Sequence, residues 1–398
     1  MIMEAVEVEN KIINRLGGNR KIDLRQQSML IALIAISVLF QILTGGIIFR
    51  AVNVSKLIMQ NSYVLILAVG MLPCIITGNV DLSVGSMVAL VSAISGKLIV
   101  EHNVPVAVAI PVVLLIGILA GAFQAYWIAY VRLPAFIVTL AGMLIFRGLT
   151  MTILQGKTLA PFPESFSWIS AGFLPQYRVG SVDVVSVGLG ILCAIFLAAW
   201  QIYQRRKAAK FNNEQPRLAS FALKLVIQCF LAVFSTYWLG TYNGLPCVLI
   251  LLIVLVLLYR FITSSTVLGR RLYALGGNEK AAKLSGINTN AIMFLAYVNM
   301  AFLASVAGIV FAGRLNAATP TAGNSFELDA IAACYIGGAS ATGGVGTVVG
   351  AVIGGLVMGI LNNGMSIMGV GSDWQQTIKG LVLLAAVAFD VISKKKSS

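Results

Sequence analysis

Residues 57–77 read Leu-Ile-Met-Gln-Asn-Ser-Tyr-Val-Leu-Ile-Leu-Ala-Val-Gly-Met-Leu-Pro-Cys-Ile-Ile-Thr. A polar break follows, Gly78-Asn79-Val80-Asp81. Residues 82–100 then read Leu-Ser-Val-Gly-Ser-Met-Val-Ala-Leu-Val-Ser-Ala-Ile-Ser-Gly-Lys-Leu-Ile-Val. Each apolar run has about the 20 residues that a helix needs to cross a bilayer. The pattern repeats along the chain. Further runs cover Met29–Phe49, Val104–Tyr130, Pro134–Leu154, Val184–Tyr203, Phe221–Leu239, Leu245–Ile262 and Ala291–Gly313. A Gly-rich C-terminal third adds Leu328–Gly338, which has the length of a half-helix, then Val345–Leu361 and Thr377–Ile392. A more polar stretch, Gln155 to Val182, carries Pro161, Pro163 and Pro175, and a tight Asn243-Gly244 turn joins two of the runs. This spacing predicts an all-α polytopic membrane protein of about 10–12 transmembrane helices, some short or broken.

Composition agrees. Of 398 residues, 59% are hydrophobic and 11% charged, against about 25% charged in soluble domains; mean hydropathy is +0.92. A soluble enzyme, a disordered chain and a nucleic-acid binder are excluded on these grounds. The net charge of +14 lies mainly in short segments between apolar runs rather than on one face of a polar domain. With the N-terminus inside and the runs alternating, twenty basic residues fall inside, among them Arg132, Arg205, Arg206, Arg270, Arg271 and Lys394 to Lys396. Only Arg50, Lys56, Lys157, Arg178 and Arg314 fall outside; Lys97, Arg147 and Lys379 lie within runs. The positive-inside rule sets both termini in the cytoplasm. Residues 1–28 read as a polar cytoplasmic tail before a retained anchor, 29–393 as the transmembrane domain and 394–398 as a cytoplasmic tail.

Little material for bond-making chemistry is present. The cysteines Cys74, Cys193, Cys229, Cys247 and Cys334 form no CxxC and read as small core residues. His102 is the one histidine and follows Glu101 in a loop, so no metal site is expected. Gly156-Lys157-Thr158 is not a P-loop, because Met151 stands where the motif needs glycine.

Other features concern packing and charge within the membrane. Gly117 and Gly121, and Gly346, Gly350 and Gly354, repeat every four residues, a spacing that lets helix backbones approach closely. Arg147 and Lys97 within apolar runs are either functional or snorkel to an interface. Asp81 at the break either caps a helix starting near Leu82 or contacts substrate. The stretch 81–88, Asp-Leu-Ser-Val-Gly-Ser-Met-Val, resembles 342–349, Thr-Gly-Gly-Val-Gly-Thr-Val-Val, as duplicated halves of a membrane fold would. The inside loop 263–290 is long and basic. Within it Asn278 to Leu284 reads as a short helix ending at Ser285-Gly286, and its fixed pattern of small residues suggests a docking element.

Three blocks carry a family resemblance. The first is Gly78-Asn-Val-Asp81-Leu-Ser-Val-Gly85-Ser. The second is Pro134-Ala-Phe-Ile-Val-Thr-Leu-Ala-Gly-Met-Leu-Ile-Phe-Arg147-Gly148-Leu. The third runs from Gly269-Arg270 through Ala281-Ala282 to Ser285-Gly286-Ile287, and on to Gly337-Gly338-Ala-Ser-Ala-Thr-Gly-Gly-Val-Gly346. Together they span Ser55 to the C-terminus and resemble the permease subunit of bacterial ABC importers for monosaccharides, the ribose, xylose and galactose group. The resemblance implies a permease homodimer in the inner membrane, cytoplasmic ATP-binding subunits that use ATP with Mg, and an extracytoplasmic sugar-binding protein. No cofactor is implied for this chain itself. It further implies an ATPase-coupling loop made by Gly269, Arg270, Arg271, Tyr273, Gly276, Asn278, Ala281, Ala282, Ser285 and Gly286. Asp81, Ser83, Gly85, Arg147, Gly337, Gly338, Gly344 and Gly346 are the candidates for the translocation path or helix breaks. The chain departs from shorter ribose-type members by an extra helix pair, 181–245, as in longer xylose or multiple-sugar permeases. Asn79-Val80 stands where the group often has Gly-Ile.

The reading is therefore a permease working by alternating access, with xylose or a related aldose as cargo. The rival is an ion- or proton-coupled secondary transporter of a small neutral solute. Such proteins place carboxylates or histidine in mid-membrane, whereas the acids here, Asp183, Glu327, Asp329, Asp373 and Asp390, read as mostly at helix edges. A membrane enzyme ranks third, for want of a nucleophile–base pair.

Overall fold

The computed structural model of the chain describes residues 24–210 and 218–395. The tail before residue 24, residues 211–217 of the basic loop and residues 396–398 lie outside it. In chain order the elements are α1 (Leu24–Leu43), α2 (Ala51–Ile76), α3 (Val84–Gly96, prolonged by a π-turn Lys97–Glu101), α4 (Val106–Ala129), α5 (Ala135–Leu154) and a short α6 (Glu164–Ala171). A two-stranded hairpin, β1 (Arg178–Val179) and β2 (Val182–Asp183), precedes α7 (Val184–Lys210), α8 (Leu218–Gly240) and α9 (Cys247–Ser265). Then come α10 (Val267–Gly277), α11 (Glu279–Leu284), α12 (Thr289–Leu315), α13 (Phe326–Ile336), α14 (Val348–Ile367) and α15 (Ser372–Lys395).

Among the described residues, 9 helices are long and apolar enough to span a membrane: α2, α3 with its π-turn, α4, α5, α7, α8, α9, α12 and α14. The apolar part of α1, Met29–Leu43, is shorter. Helix α13 has 11 residues; at 1.5 Å per residue it covers only about half of the hydrocarbon thickness. Segments assigned to one side by charge meet at one end of the molecule. Residues 131–134, 266–290 and 337–346 gather at the inside end, and 155–182 meets 241–246 and 316–318 at the outside end.

Helices α2 and α12 form the centre. Lipid is as apolar as leucine, so tight packing rather than the hydrophobic effect holds such helices together. The glycine spacings serve that packing. A Cβ on Gly117 would lie 1.8 Å from Ser305 Oγ and one on Gly121 2.1 Å from Ala301 Cβ, so α4 sits directly on α12. Likewise a Cβ on Gly350 would lie 2.2 Å from the Gly337 carbonyl and one on Gly354 2.0 Å from that of Ala333, seating α13 on α14. Of the cysteines only Cys74 and Cys334 are buried; Cys193 is exposed on α7, contrary to the core reading. Helices α7 and α8 turn an apolar surface to lipid, so a cysteine there costs no packing.

The α7–α8 pair is fastened at its outer end. Asp183 accepts hydrogen bonds from the amides of Tyr177 and Ser186 (both 2.9 Å) and from Ser186 Oγ (2.5 Å), and Leu245 N donates to Ser186 Oγ at 3.1 Å. Arg178 donates to Tyr242 O. Burial pushes the Asp183 pKa up, but the hydrogen bonds outweigh it and hold the carboxyl below its ordinary value.

The glycines differ in what a side chain would meet. Gly354→Val should destabilise the permease by about 1–3 kcal/mol through overpacking. Gly148→Ala, with nothing within 4 Å of the added methyl, should be neutral or gain about 0.5–1 kcal/mol; thermal unfolding of the purified protein compares the two. For Asp183, a depressed folded-state pKa gives stability that is present above the unfolded value and lost as pH falls through the folded one. Amide exchange of residues 172–186, corrected for intrinsic rates, should rise only below about pH 4, and Asp183→Asn should abolish that pH dependence.

Candidate functional site

The break after α2 is built locally. Pro73 lies in the last turn of α2, and Gly78, at φ +80°, ends it in the left-handed conformation while donating to Ile75 O. Val80 to Leu82 are non-helical, and α3 starts at Val84 with Ser83 as its cap residue. Asp81 is 2% exposed. Its Oδ1 accepts from Ser83 N at 2.9 Å and Ser83 Oγ at 2.6 Å, and Gln124 Nε2 of α4 reaches both carboxylate oxygens at 3.3 Å. The carboxylate thus grips the residue before the helix. Gln124 in turn is pressed against Gly142 of α5, where a Cβ would lie 2.2 Å from its Oε1. Gln124 and Gly142 lie about 8–10 Å from the inside ends of their helices, so Asp81 lies within the membrane.

A second irregular segment approaches from the outside. Ala318 exchanges backbone hydrogen bonds with Leu159 and touches Gly96 near the outer end of α3. Gly323 packs on Gly85 near its inner end, where a Cβ on either residue would meet the other's carbonyl at about 2 Å. Along α3 that is a descent of about 16 Å. Non-helical backbone at such a depth exposes carbonyls that lipid cannot satisfy. Arg147 satisfies two of them, donating from one guanidinium nitrogen to Pro320 O at 3.0 Å and Ala322 O at 2.6 Å. The arginine therefore turns inward rather than snorkelling.

The half-helix α13 begins at this depth. Its acids Glu327 and Asp329 sit in the first turn, at a helix edge as the sequence suggested, and that edge is at this depth. The "edge" of a half-helix is a mid-membrane position. Glu327 lies beside Gly85, and Asp329 is ion-paired with Lys379 of α15 at 3.0 Å. Asp183 and Asp373 do sit at helix ends; the side chain of Asp390 lies outside the described residues.

The remaining path candidates gather elsewhere. Gly337 caps α13 against α14, and Gly338 turns at φ +80°. The loop then reaches the inside end of α2, where Gly344 N donates to Ile76 O at 2.8 Å. The stretch 342–349 is thus bonded to the last residue of α2, just before the break that leads into 81–88. Helix α10 lies against both. Gly276 is so close that a Cβ would lie 1.7 Å from Ile76 O and 2.8 Å from Gly344 N, and Tyr273 Oη donates to Gly346 O at 2.6 Å. Asp81, Ser83, Gly85 and Arg147 therefore form a ladder along the start of α3, and Gly337, Gly338, Gly344 and Gly346 form a joint beneath it.

The segment 263–290 holds two helices, one more than its sequence suggested. Leu272 and Leu275 of α10 are buried, Gly269 packs on the Thr263 carbonyl, and Arg270 and Arg271 are exposed. Asn278 caps α11 by accepting from Ala281 N at 3.0 Å. Ala282 faces the body, Ser285 ends the helix, and Gly286 turns at φ +81°. Leu284 is 90% exposed at the tip. Gln124 and Glu327 were not anticipated. Each is a polar residue in or beside an apolar run, and only the fold brings it to Asp81 or Gly85.

Residues 53–387 match the family described as branched-chain amino acid transport system / permease component. The chain belongs to this permease family. It is 38% identical over 381 residues (96% of this chain, 95% of the relative) to the xylose transport system permease protein XylH of Escherichia coli. It is also 38% identical over 377 residues (95% and 99%) to the XylH protein of Haemophilus influenzae. Identity to the ribose import permease protein RbsC of Escherichia coli is 35% over 368 residues (92% and 94%). No solved structure matches. As a member of the permease family the chain is a multi-pass transport component and not a catalyst.

Arg147→Met keeps the side-chain bulk but leaves the Pro320 and Ala322 carbonyls without their donor. It should destabilise the purified permease by about 1–3 kcal/mol, with Arg147→Lys intermediate, as read by thermal unfolding.

Proposed function

We propose that the chain is the membrane permease of an ATP-driven importer that carries a monosaccharide, xylose or a related aldose, across the bacterial inner membrane. The names of its relatives support the sugar, and the mainly uncharged membrane interior suits a neutral polyol. In this reading Asp81, Ser83, Gly85 and Arg147 line the route. The segment 263–290 couples to cytoplasmic ATP-binding subunits, with exposed Arg270, Arg271 and Leu284 as the docking face. Those subunits use ATP with Mg, and this chain binds no cofactor. An extracytoplasmic sugar-binding protein delivers the cargo, two permeases pair as a homodimer in the lipid, and 181–245 is an added helix pair of the transmembrane domain.

The observation that carries the reading is the seat of α10. A helix on the cytoplasmic face packs by Gly276 on the last carbonyl of α2 and bonds by Tyr273 to the joint beneath the ladder. A push on α10 is thereby a push on both broken elements. One observation favours ion-coupled transport instead: Asp81 and Asp329 are buried acids. Each already has partners, Ser83 and Gln124 for Asp81 and Lys379 for Asp329, which leaves neither free as a proton relay.

Reconstituted with its ATP-binding and sugar-binding subunits, the permease should take up sugar only with ATP. Robust uptake by the chain alone under a proton or sodium gradient would falsify the ATP-driven reading. Arg270→Glu combined with Gly286→Val should let ATP hydrolysis run with little transport while membrane insertion stays normal.

A further inference from the structure

Arg132 lies in the inside turn between α4 and α5, and its backbone is at φ +65°. A non-glycine residue rarely occupies this left-handed region, and such outliers collect where structure serves function. Its guanidinium spans three groups on another part of the chain. Nη1 donates to Glu279 Oε1 at 2.5 Å, in the first turn of α11. Nη2 donates to Thr289 Oγ1 at 3.1 Å and to Asn290 Oδ1, at the start of α12. Next to it Tyr130 packs on Phe294, with ring centroids 5.6 Å apart. A planar fork of donors can serve three acceptors at once, which an ammonium cannot do with the same geometry.

What the turn carries makes the contact matter. Helices α4 and α5 hold Gln124 and Gly142 against Asp81 and Ser83, and α5 carries Arg147. We propose that Arg132 is a positioning residue that ties α11 to the α4–α5 pair, so that movement of the cytoplasmic segment reaches the polar ladder by a second route besides the seat of α10. The inference rests on the coupling role given above to 263–290. The ion pair is exposed on both partners, 41% and 44%, and exposed pairs add little to stability. The Arg132–Glu279 pair itself therefore adds little to the stability of the fold.

The test uses the whole transporter in proteoliposomes, with uptake of radiolabelled xylose or ribose, whichever the unaltered complex transports, and phosphate release measured in parallel. Arg132→Ala and Glu279→Ala should each lower the sugar moved per ATP by about tenfold, with the melting temperature unchanged. Arg132→Lys should fall between, and Arg132→Glu with Glu279→Arg should recover coupling. Normal coupling in Arg132→Ala while Arg270→Glu with Gly286→Val is uncoupled would overturn the role of Arg132 alone. Normal coupling in both would overturn the coupling role of 263–290 as well. A coupling loss in Arg132→Ala that tracks a lowered melting temperature, without recovery in the swap, would make the residue merely structural and also overturn the proposal.

Discussion

The hydrogen bond from Gly344 N to Ile76 O holds together two chain breaks inside a membrane protein. Each break frees backbone groups that the bilayer cannot solvate. Joining them lets one break answer the other, and the absence of a side chain on Gly276 brings a third backbone to the same place. Three elements distant in sequence thus share a contact too close for any side chain to enter. Helices α2, α13, α14 and α10 depart from it, so their relative positions are set at one point.

Above that point, polar groups are supplied where the helices fail. Ser83 and Gln124 hold Asp81, two carbonyls of the descending segment are held by Arg147, and Lys379 neutralises Asp329. Unpaired, each of these groups would be expensive in hydrocarbon. Paired, they form a succession of polar sites from the inside end to mid-membrane. The apolar helices around them, α4, α5, α7, α8 and α9, turn large hydrophobic residues outward to lipid.

Much of this was legible in the sequence. Every apolar run became a helix, the Asn243-Gly244 turn and the Asn278-capped helix appeared where their residues placed them, and Leu328–Gly338 is a half-helix. Helix α10 was not legible, because Gly269, Gly276, Gly277 and the Arg270-Arg271 pair have the look of a connector. Its helicity comes from burying Leu272 and Leu275 on the body, and tertiary packing overrides weak propensity. The descent of residues 319–323 was also hidden. Thr319, Pro320, Thr321, Gly323 and Asn324 are turn-forming or polar residues that read as an outer loop, and only the contact of Gly323 with Gly85 shows the depth. For the same reason Glu327 and Asp329 seemed peripheral, and Gln124 was one polar residue in an apolar run until Asp81 stood beside it.

The central position of α12 has a consequence for biogenesis. Cys74 of α2 meets Ala296 of α12 across 222 positions of sequence, and Cys334 meets Ala68 across 266. The faces of α2, α3 and α4 that α12 covers are completed only after the whole α7–α8 pair and the cytoplasmic segment have been synthesised. Until then the glycine seats of α4 stand uncovered. The core that α12 completes therefore closes late in synthesis, after the helices it covers are already made.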